Sequence, residues 1–254
     1  MTKTKLKILL TNDDGFHAEG LQQLFRTLNK IHEVTIIAPD QERSAVGHGI
    51  TMHYPLRAKQ IQLENRLHWA INGTPADCVK LGVDCLLKEN PPDLVLSGIN
   101  RGPNLGNDVL YSGTVSAAIE GMMNNRPSVA ISLVGFDQLE YSAAANYIAA
   151  NLLTICELAQ EAVLNINIPT VHIKGTHITR LGKREYQNVF EERKDPRGQT
   201  YFWMGGEPII LEQVDDSDIA AVEAGYVSIS PLQFDLTNHS FISRHRDKIL
   251  LNDC

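Results

Sequence analysis

The chain has no surplus of positive charge: 23 Lys and Arg stand against 30 Asp and Glu, a net charge of -7. Proteins that grip nucleic acid polymers or anionic membrane surfaces usually carry a basic face. Neither partner is therefore expected here, although a local pocket could still hold one small anion. No apolar run approaches the roughly 18 residues of a membrane span. The opening Met1-Thr2-Lys3-Thr4-Lys5 leads into only about five apolar positions before Asn12, too few for the core of a signal peptide. A cytoplasmic location is the expectation. Cysteine is scarce, and Cys78, Cys85, Cys156 and Cys254 form neither a C-x-x-C pair nor a zinc-ligand spacing. They are expected as thiols, with Cys78 and Cys85 as small core residues of one helix. No G-x-G-x-x-G follows the first strand-like segment, which argues against a dinucleotide-dependent oxidoreductase. His17, His48 and His53 form no H-x-x-x-H pair and read as loop or strand histidines rather than ligands.

What is present is an alternation of apolar strands and helices. At 254 residues, 43% of them hydrophobic, the chain can bury one large α/β domain or a domain with an appendage. Strands are predicted over residues 7–11, 34–38, 94–97, 128–133 and 163–168. Shorter ones are predicted near 50–55, 60–63 and 67–71. Helices are predicted over 18–30, 74–87, 112–123 and 139–158, the first with Leu21, Leu24, Phe25 and Leu28 on one face. This pattern predicts a Rossmann-like open, mostly parallel sheet with helices on both faces over residues 1–174. After residue 174 the character changes. Residues 184–207 carry charges, glycines and aromatics without a clean period and read as an extended arm or hairpin. A last strand is predicted at 227–230, and residues 175–254 form the arm and closing segment.

Three strand-like segments each end in short oxygen-bearing side chains. Asp13-Asp14 follow Ile8-Leu9-Leu10, Ser44 follows the 34–38 strand, and Asn100 follows Leu94-Val95-Leu96. In an open parallel sheet ligands collect outside the carboxyl ends of the strands, so these residues can meet there. Adjacent side chains in a strand point to opposite faces, and Gly15 permits the departure from the pleat that lets both carboxylates converge. Such a pair suits a hard divalent ion. The same residues also read as a plain turn with Asp14 capping the next helix, and a loop serine such as Ser44 is ordinarily just solvated. Residues 97–108 hold three glycines and three asparagines, a density that brings backbone and amide groups close to a ligand. Ser112-Gly113-Thr114 open a helix whose free N–H groups suit a phosphate; taken alone they are also an ordinary cap. Arg43 and Arg101 are placed to contact an anion or simply to face solvent, and the 191–195 charge run reads as a solvated face.

With these stretches in view, the sequence closely resembles the SurE family of survival proteins, metal-dependent phosphatases acting on nucleoside monophosphates. The resemblance rests on ILLTNDDG (8–15), VTIIAPDQERSAVGHGIT (34–51), INGTPADCVKLG (71–82) and PDLVLSGINRGPNLGNDVLYSGTVSAAIEG (92–121), with a looser SPLQFDLT (230–237). It implies that Asp13, Asp14, Ser44 and Asn100 hold one divalent metal ion per subunit, and that Ser112, Gly113 and Thr114 receive the phosphate. It places Asn104 in the site, so that Asp13, Asp14 and Asn104 are the expected catalytic residues. It further implies a homodimer or homotetramer in which the C-terminal part reaches across to a second subunit. One departure is visible: many members carry Ser-Gly-Ala-Ser-Asn-Ser where this chain reads Ser44-Ala45-Val46-Gly47-His48-Gly49.

An all-oxygen donor set with two formal charges favours Mg²⁺ or Mn²⁺ over zinc. The expected reaction is metal-assisted attack of water on a nucleoside 5'-monophosphate, with 3'-monophosphates and short polyphosphate as possible further substrates. Asp13 or Asp14 could act as general base, but a carboxylate tied to a metal is a weak one. An aspartyl-phosphate route lacks its Asp-x-Asp arrangement. A sensor that binds metal and nucleotide without hydrolysis uses the same groups and is the alternative.

Overall fold

A computed structural model of the chain describes residues 5–135, 140–170, 172–210 and 214–246. Its centre is a nine-stranded sheet built from β1 (Lys7–Thr11), β2 (Glu33–Pro39), β3 (Ala58–Leu63), β4 (Arg66–Ile71), β5 (Leu94–Arg101), β6 (Ser128–Val134), β7 (Val163–Pro169), β8 (Thr176–Ile178) and β13 (Val227–Leu232). The strand order is β3-β4-β2-β1-β5-β6-β7-β13-β8. From β4 to β7 the pairs are parallel; β3 joins β4 and β13 joins β7 antiparallel. Because β1 lies between β2 and β5, the strand order reverses there, and a crevice opens outside the carboxyl ends.

The sheet is buried because its strands are apolar on both faces. Ile8 and Leu10 of β1 pack into one cluster with Leu21, Leu24 and Phe25 of α1 (Glu19–Leu28) and Ala144, Ile148 and Leu152 of α4 (Tyr141–Leu158). Leu9, pointing the other way, packs with Ile37, Cys78 and Val79 of α2 (Pro75–Leu81) and Ala117 of α3 (Gly113–Met123). One strand thus carries two helical layers. The apolar stripe of α1 recurs at helical spacing. The start of α2 is fixed by a capping box, with Thr74 Oγ1 accepting from Asp77 N and Asp77 accepting from Thr74 N.

Beyond β8 the chain forms two antiparallel ribbons. One pairs β9 (Arg184–Gln187) with β12 (Glu207–Ile210), and the other pairs β10 (Phe190–Lys194) with β11 (Thr200–Met204). The charges of Glu191, Glu192, Arg193 and Lys194 lie on the exposed surface of the second ribbon. The chain then forms α5 (Asp218–Glu223), returns to the sheet as β13 and ends its described part in α6 (His239–His245).

Several expectations need correction. Residues 50–55 form no strand: Ile50, Met52 and Tyr54 are exposed, and the segment is tied by Thr51 to Asp77 and by its Gly49 carbonyl to Thr74. The helix expected over 74–87 is α-helical only to Leu81 and then loosens into one wide turn over Gly82–Leu86. Cys78 is buried as expected, but Cys85 is exposed. Leu139, where the fourth helix was expected to begin, and Cys254 lie outside the described residues.

Candidate functional site

The site starts with a turn. Where β1 ends, Asn12 folds over its own chain, its Nδ2 donating to Gly15 O (3.0 Å) and its Oδ1 accepting from Gly15 N (3.2 Å). Gly15 sits at φ +101°, a conformation that side chains disfavour. This loop takes Asp13 and Asp14 out of the pleat, so both neighbours reach the crevice. Asp13 is 5% exposed. Its carbonyl accepts from Arg43 N (2.7 Å), which fastens the loop after β2 to the end of β1. Along that loop Ser44 Oγ donates to Glu42 Oε1 (2.7 Å).

Each carboxylate leans on a different element. The Asp13 carboxylate accepts a hydrogen bond from Thr114 Oγ1 in the first turn of α3. It also rests against Gly113, where a Cβ would lie 2.8 Å from Asp13 Cβ and 2.9 Å from its Oδ2. Asp14 Oδ2 accepts from Arg101 N (3.2 Å) at the end of β5. Just before it, Asn100 Nδ2 donates to Gly102 O (2.9 Å), so Oδ1 is the amide atom left for a ligand. Ser112 is the N-cap of α3, its Oγ accepting from Val115 N (3.1 Å) and its O–H left to donate. The N–H groups of Gly113 and Thr114 follow in the first turn, where a helix leaves them without intrahelical acceptors.

Burial pushes the Asp13 carboxyl up from its ordinary value, against the Thr114 hydrogen bond, and the Glu42 charge adds to the rise. Asp14 is raised to about 6, first by burial and then by the Asp13 charge beside it. Two crowded, poorly solvated carboxylates resist ionising together unless a cation joins them. Asp13, Asp14, Ser44, Asn100, Asn104 and Ser112 all line one cleft of about 1370 Å³. Tyr111, Arg184, Tyr186 and Asp108 line the same cleft, the last accepting from Arg184 Nη1 (3.0 Å) and Tyr186 O–H (2.5 Å).

The family model for survival protein SurE matches residues 8–188. The chain belongs to the SurE family. A protein named 5'-nucleotidase SurE from Carboxydothermus hydrogenoformans is 54% identical over 249 residues, spanning 94% of this chain and 94% of its own. Another of that name from Heliobacterium modesticaldum is 49% identical over 249 residues, spanning 95% and 91%. The crystal structure of the SurE protein from Aquifex aeolicus superposes with a TM-score of 0.82 at 38% identity, covering 94% of this chain and 97% of that one.

For a SurE chain, the structure draws together at one switch point the residues that the sequence scatters over a hundred positions. It also separates some that were grouped. Arg101 lines the cleft, whereas Arg43 turns to Asp40 (3.7 Å) and the Asn72 carbonyl (3.5 Å). His17 and His53 are exposed, and His48 pairs with Glu120 of α3 (2.9 Å) away from the cleft. Glu42 escaped the sequence reading because it sits in a charged loop with nothing to separate it from Asp40 and Arg43. Arg184 and Tyr186 escaped because the arm has no period from which to place its inward side chains.

Proposed function

We propose that the chain is a 5'-nucleotidase, a divalent-metal-dependent phosphomonoesterase that releases phosphate from nucleoside 5'-monophosphates. The observation that carries this reading is an acidic pair at the switch point of the sheet, with Asp13 buried against the N-terminus of a helix and Asp14 half-buried beside it. The names of its SurE relatives point the same way.

The residues fit a hard cation. Two carboxylates whose ionisation is opposed by burial, that of Asp14 also by the Asp13 charge and that of Asp13 by Glu42, are relieved by one divalent ion. No group of three or more His, Cys, Asp or Glu that could hold a metal occurs among the described residues. An all-oxygen set of Asp13, Asp14, Ser44 and Asn100, suited to Mg²⁺ or Mn²⁺, is then the reading we favour. Bound there, the ion would supply Lewis-acid polarisation of a phosphoryl oxygen and a more acidic water. The N–H groups of Gly113 and Thr114 and the Ser112 hydroxyl hold the remaining phosphate oxygens and meet the charge that develops as the ester bond loosens. With its hydroxyl on Asp13, Thr114 contributes through its backbone and keeps that carboxylate oriented. Asn104 stands at the cleft wall to orient the phosphate or the attacking water. Water attacks phosphorus directly, and the nucleoside leaves as its alcohol.

The cleft is larger than a phosphate requires, since pockets of about 300–1000 Å³ already hold drug-sized ligands. Tyr111, and Tyr186 held by Asp108, line it as well and offer aromatic surface and polar edges suited to a nucleoside. Action on 3'-monophosphates and on short polyphosphate is consistent with the same phosphate-centred chemistry. We also take residues 175–254 as the segment for assembly into a homodimer or homotetramer. Phe190, Phe202, Trp203 and Met204 expose a large apolar surface on the arm. No helix among the described residues is long and apolar enough to cross a membrane, and we place the activity in the cytoplasm.

The test is phosphate release from a panel of 5'- and 3'-nucleoside monophosphates with Mn²⁺, with Mg²⁺ and with EDTA. Metal-dependent release abolished by EDTA is the expected result. Nucleotide binding without release under any of these conditions would replace the enzyme with a sensor.

A further inference from the structure

Strand β7 carries two amide side chains where its neighbours β6 and β13 carry nothing polar larger than serine. A strand buried inside a sheet covered on both faces is ordinarily apolar throughout, yet Asn165 and Asn167 lie in β7, both fully buried. Two residues apart, they share a face. Ser132 of β6 lies beside Asn167, while Ser228 and Ser230 of β13 lie beside Asn167 and Asn165. A buried amide destabilises a fold unless it is hydrogen-bonded. Such local exceptions tend to mark functional sites.

The amides converge on one residue, Asn104. Its N–H donates to Asn167 Oδ1 (2.9 Å), and its carbonyl accepts from both Asn167 Nδ2 (2.9 Å) and Asn165 Nδ2 (2.8 Å). Its side-chain nitrogen donates to Ser132 Oγ (2.7 Å). Both backbone groups and the amide nitrogen are thus held from the sheet beneath, which leaves Oδ1 as the atom Asn104 can offer the cleft it lines. Two residues on, Gly106 N donates to Asp218 Oδ2 (2.8 Å), whose other oxygen accepts from Gly182 N (2.7 Å). Asn165 meanwhile keeps a buried Oδ1 without a hydrogen-bond partner. An apolar residue would avoid that desolvation, so the position is better explained by what its Nδ2 holds.

We propose that Asn165, Asn167 and Ser132 are positioning residues for the hydrolysis: they fix Asn104 from inside the sheet, so that its amide oxygen meets the substrate or its water in one orientation. The proposal rests on the reading above that Asn104 belongs to the active site. It adds three residues that touch neither phosphate nor metal and act only through Asn104.

The experiment compares Asn167→Leu, Ser132→Ala and Asn104→Ala with Ile166→Ala, a large core deletion on the opposite face of the same strand. Phosphate release gives kcat and KM, thermal melting gives stability, and hydrogen exchange reads the amides of residues 104–106. Asn167→Leu is expected to lower kcat about 10- to 100-fold with KM changed less than about threefold, because a small misplacement acts on the transition state. It is also expected to speed exchange at those amides. Ile166→Ala should lower the melting temperature and keep kcat within about twofold. Should Asn167→Leu not fold, Ser132→Ala carries the test, with an expected loss of about tenfold in kcat. Full kcat in the folded variant, or an equal kcat loss in Ile166→Ala, would overturn the proposal. A damaging Asn104→Ala beside a fully active Asn167→Leu would remove the clamp alone, whereas an inactive native protein would remove the hydrolase reading itself.

Discussion

Glu120 gives the sharpest quantitative test of how the loop carrying Ser44 is anchored. This carboxylate of α3 is buried, and it accepts from His48 Nε2 (2.9 Å), Lys80 Nζ (3.0 Å) and Asn124 Nδ2 (2.9 Å). Those partners, His48 first, hold it at about 2 against an ordinary 4.5. At about 1.4 kcal/mol per pH unit the depression corresponds to about 3 kcal/mol of folding stability. Because the Lys80 side chain is half exposed, solvent screening trims this, and about 2 kcal/mol is the expected loss in Glu120→Gln at pH 7. In a chain of this length that lowers the melting temperature by about 4–8 °C. A depressed carboxylate stabilises above its unfolded value of 4.5 and loses that contribution as pH falls toward 2. Urea unfolding of both proteins should therefore show the full gap at pH 7 and less than half of it at pH 3. A gap of the same size at both pH values, or no gap at pH 7, would refute the assignment.

Two further substitutions probe the acidic pair. Gly113→Ala places a methyl group 2.8 Å from Asp13 Cβ, so Asp13 must move; kcat should fall about 10- to 100-fold with little change in melting temperature, and an Ala variant with native kcat would contradict the close fit. Asp14, raised from 3.8 to about 6 by burial and by Asp13, weakens the metal-free fold once it ionises: stability is intact below pH 3.8 and lost as pH rises through about 6. In EDTA, Asp14→Asn should accordingly melt higher than the native protein at pH 8 and no differently at pH 3.5, which differential scanning fluorimetry can read directly; an unchanged melting temperature at pH 8 would count against the crowding.

The sequence makes the sheet and the chemistry at its switch point legible for one reason. Buried parallel strands are short apolar runs, and the polar residue that ends each run is where the crevice lies. Asp13, Asp14, Ser44 and Asn100 stand out in that way, and the cleft gathers all four. What stayed hidden depends on contacts between distant elements. The alternation of Ile50, Met52 and Tyr54 imitates a strand, but hydrogen bonds from Thr51 and Thr74 hold the segment as a loop. Strand β8 is three residues long and exists only because β13 offers it an edge. Asn165 and Asn167 look like blemishes in an apolar strand until the Asn104 loop is seen above them. The hydroxyl of Thr114 looks free for a phosphate until Asp13 is seen beside it.

The most direct test of the central claim pairs two measurements on the same preparations of native protein and Asp13→Asn: calorimetric titration with Mn²⁺, and phosphate release from a nucleoside 5'-monophosphate. The native protein is expected to bind a single Mn²⁺ and to release phosphate only when it is bound. Asp13→Asn should keep its fold, bind Mn²⁺ weakly and lose turnover by roughly two orders of magnitude or more. A folded Asp13→Asn protein that releases phosphate at the native rate would contradict the account.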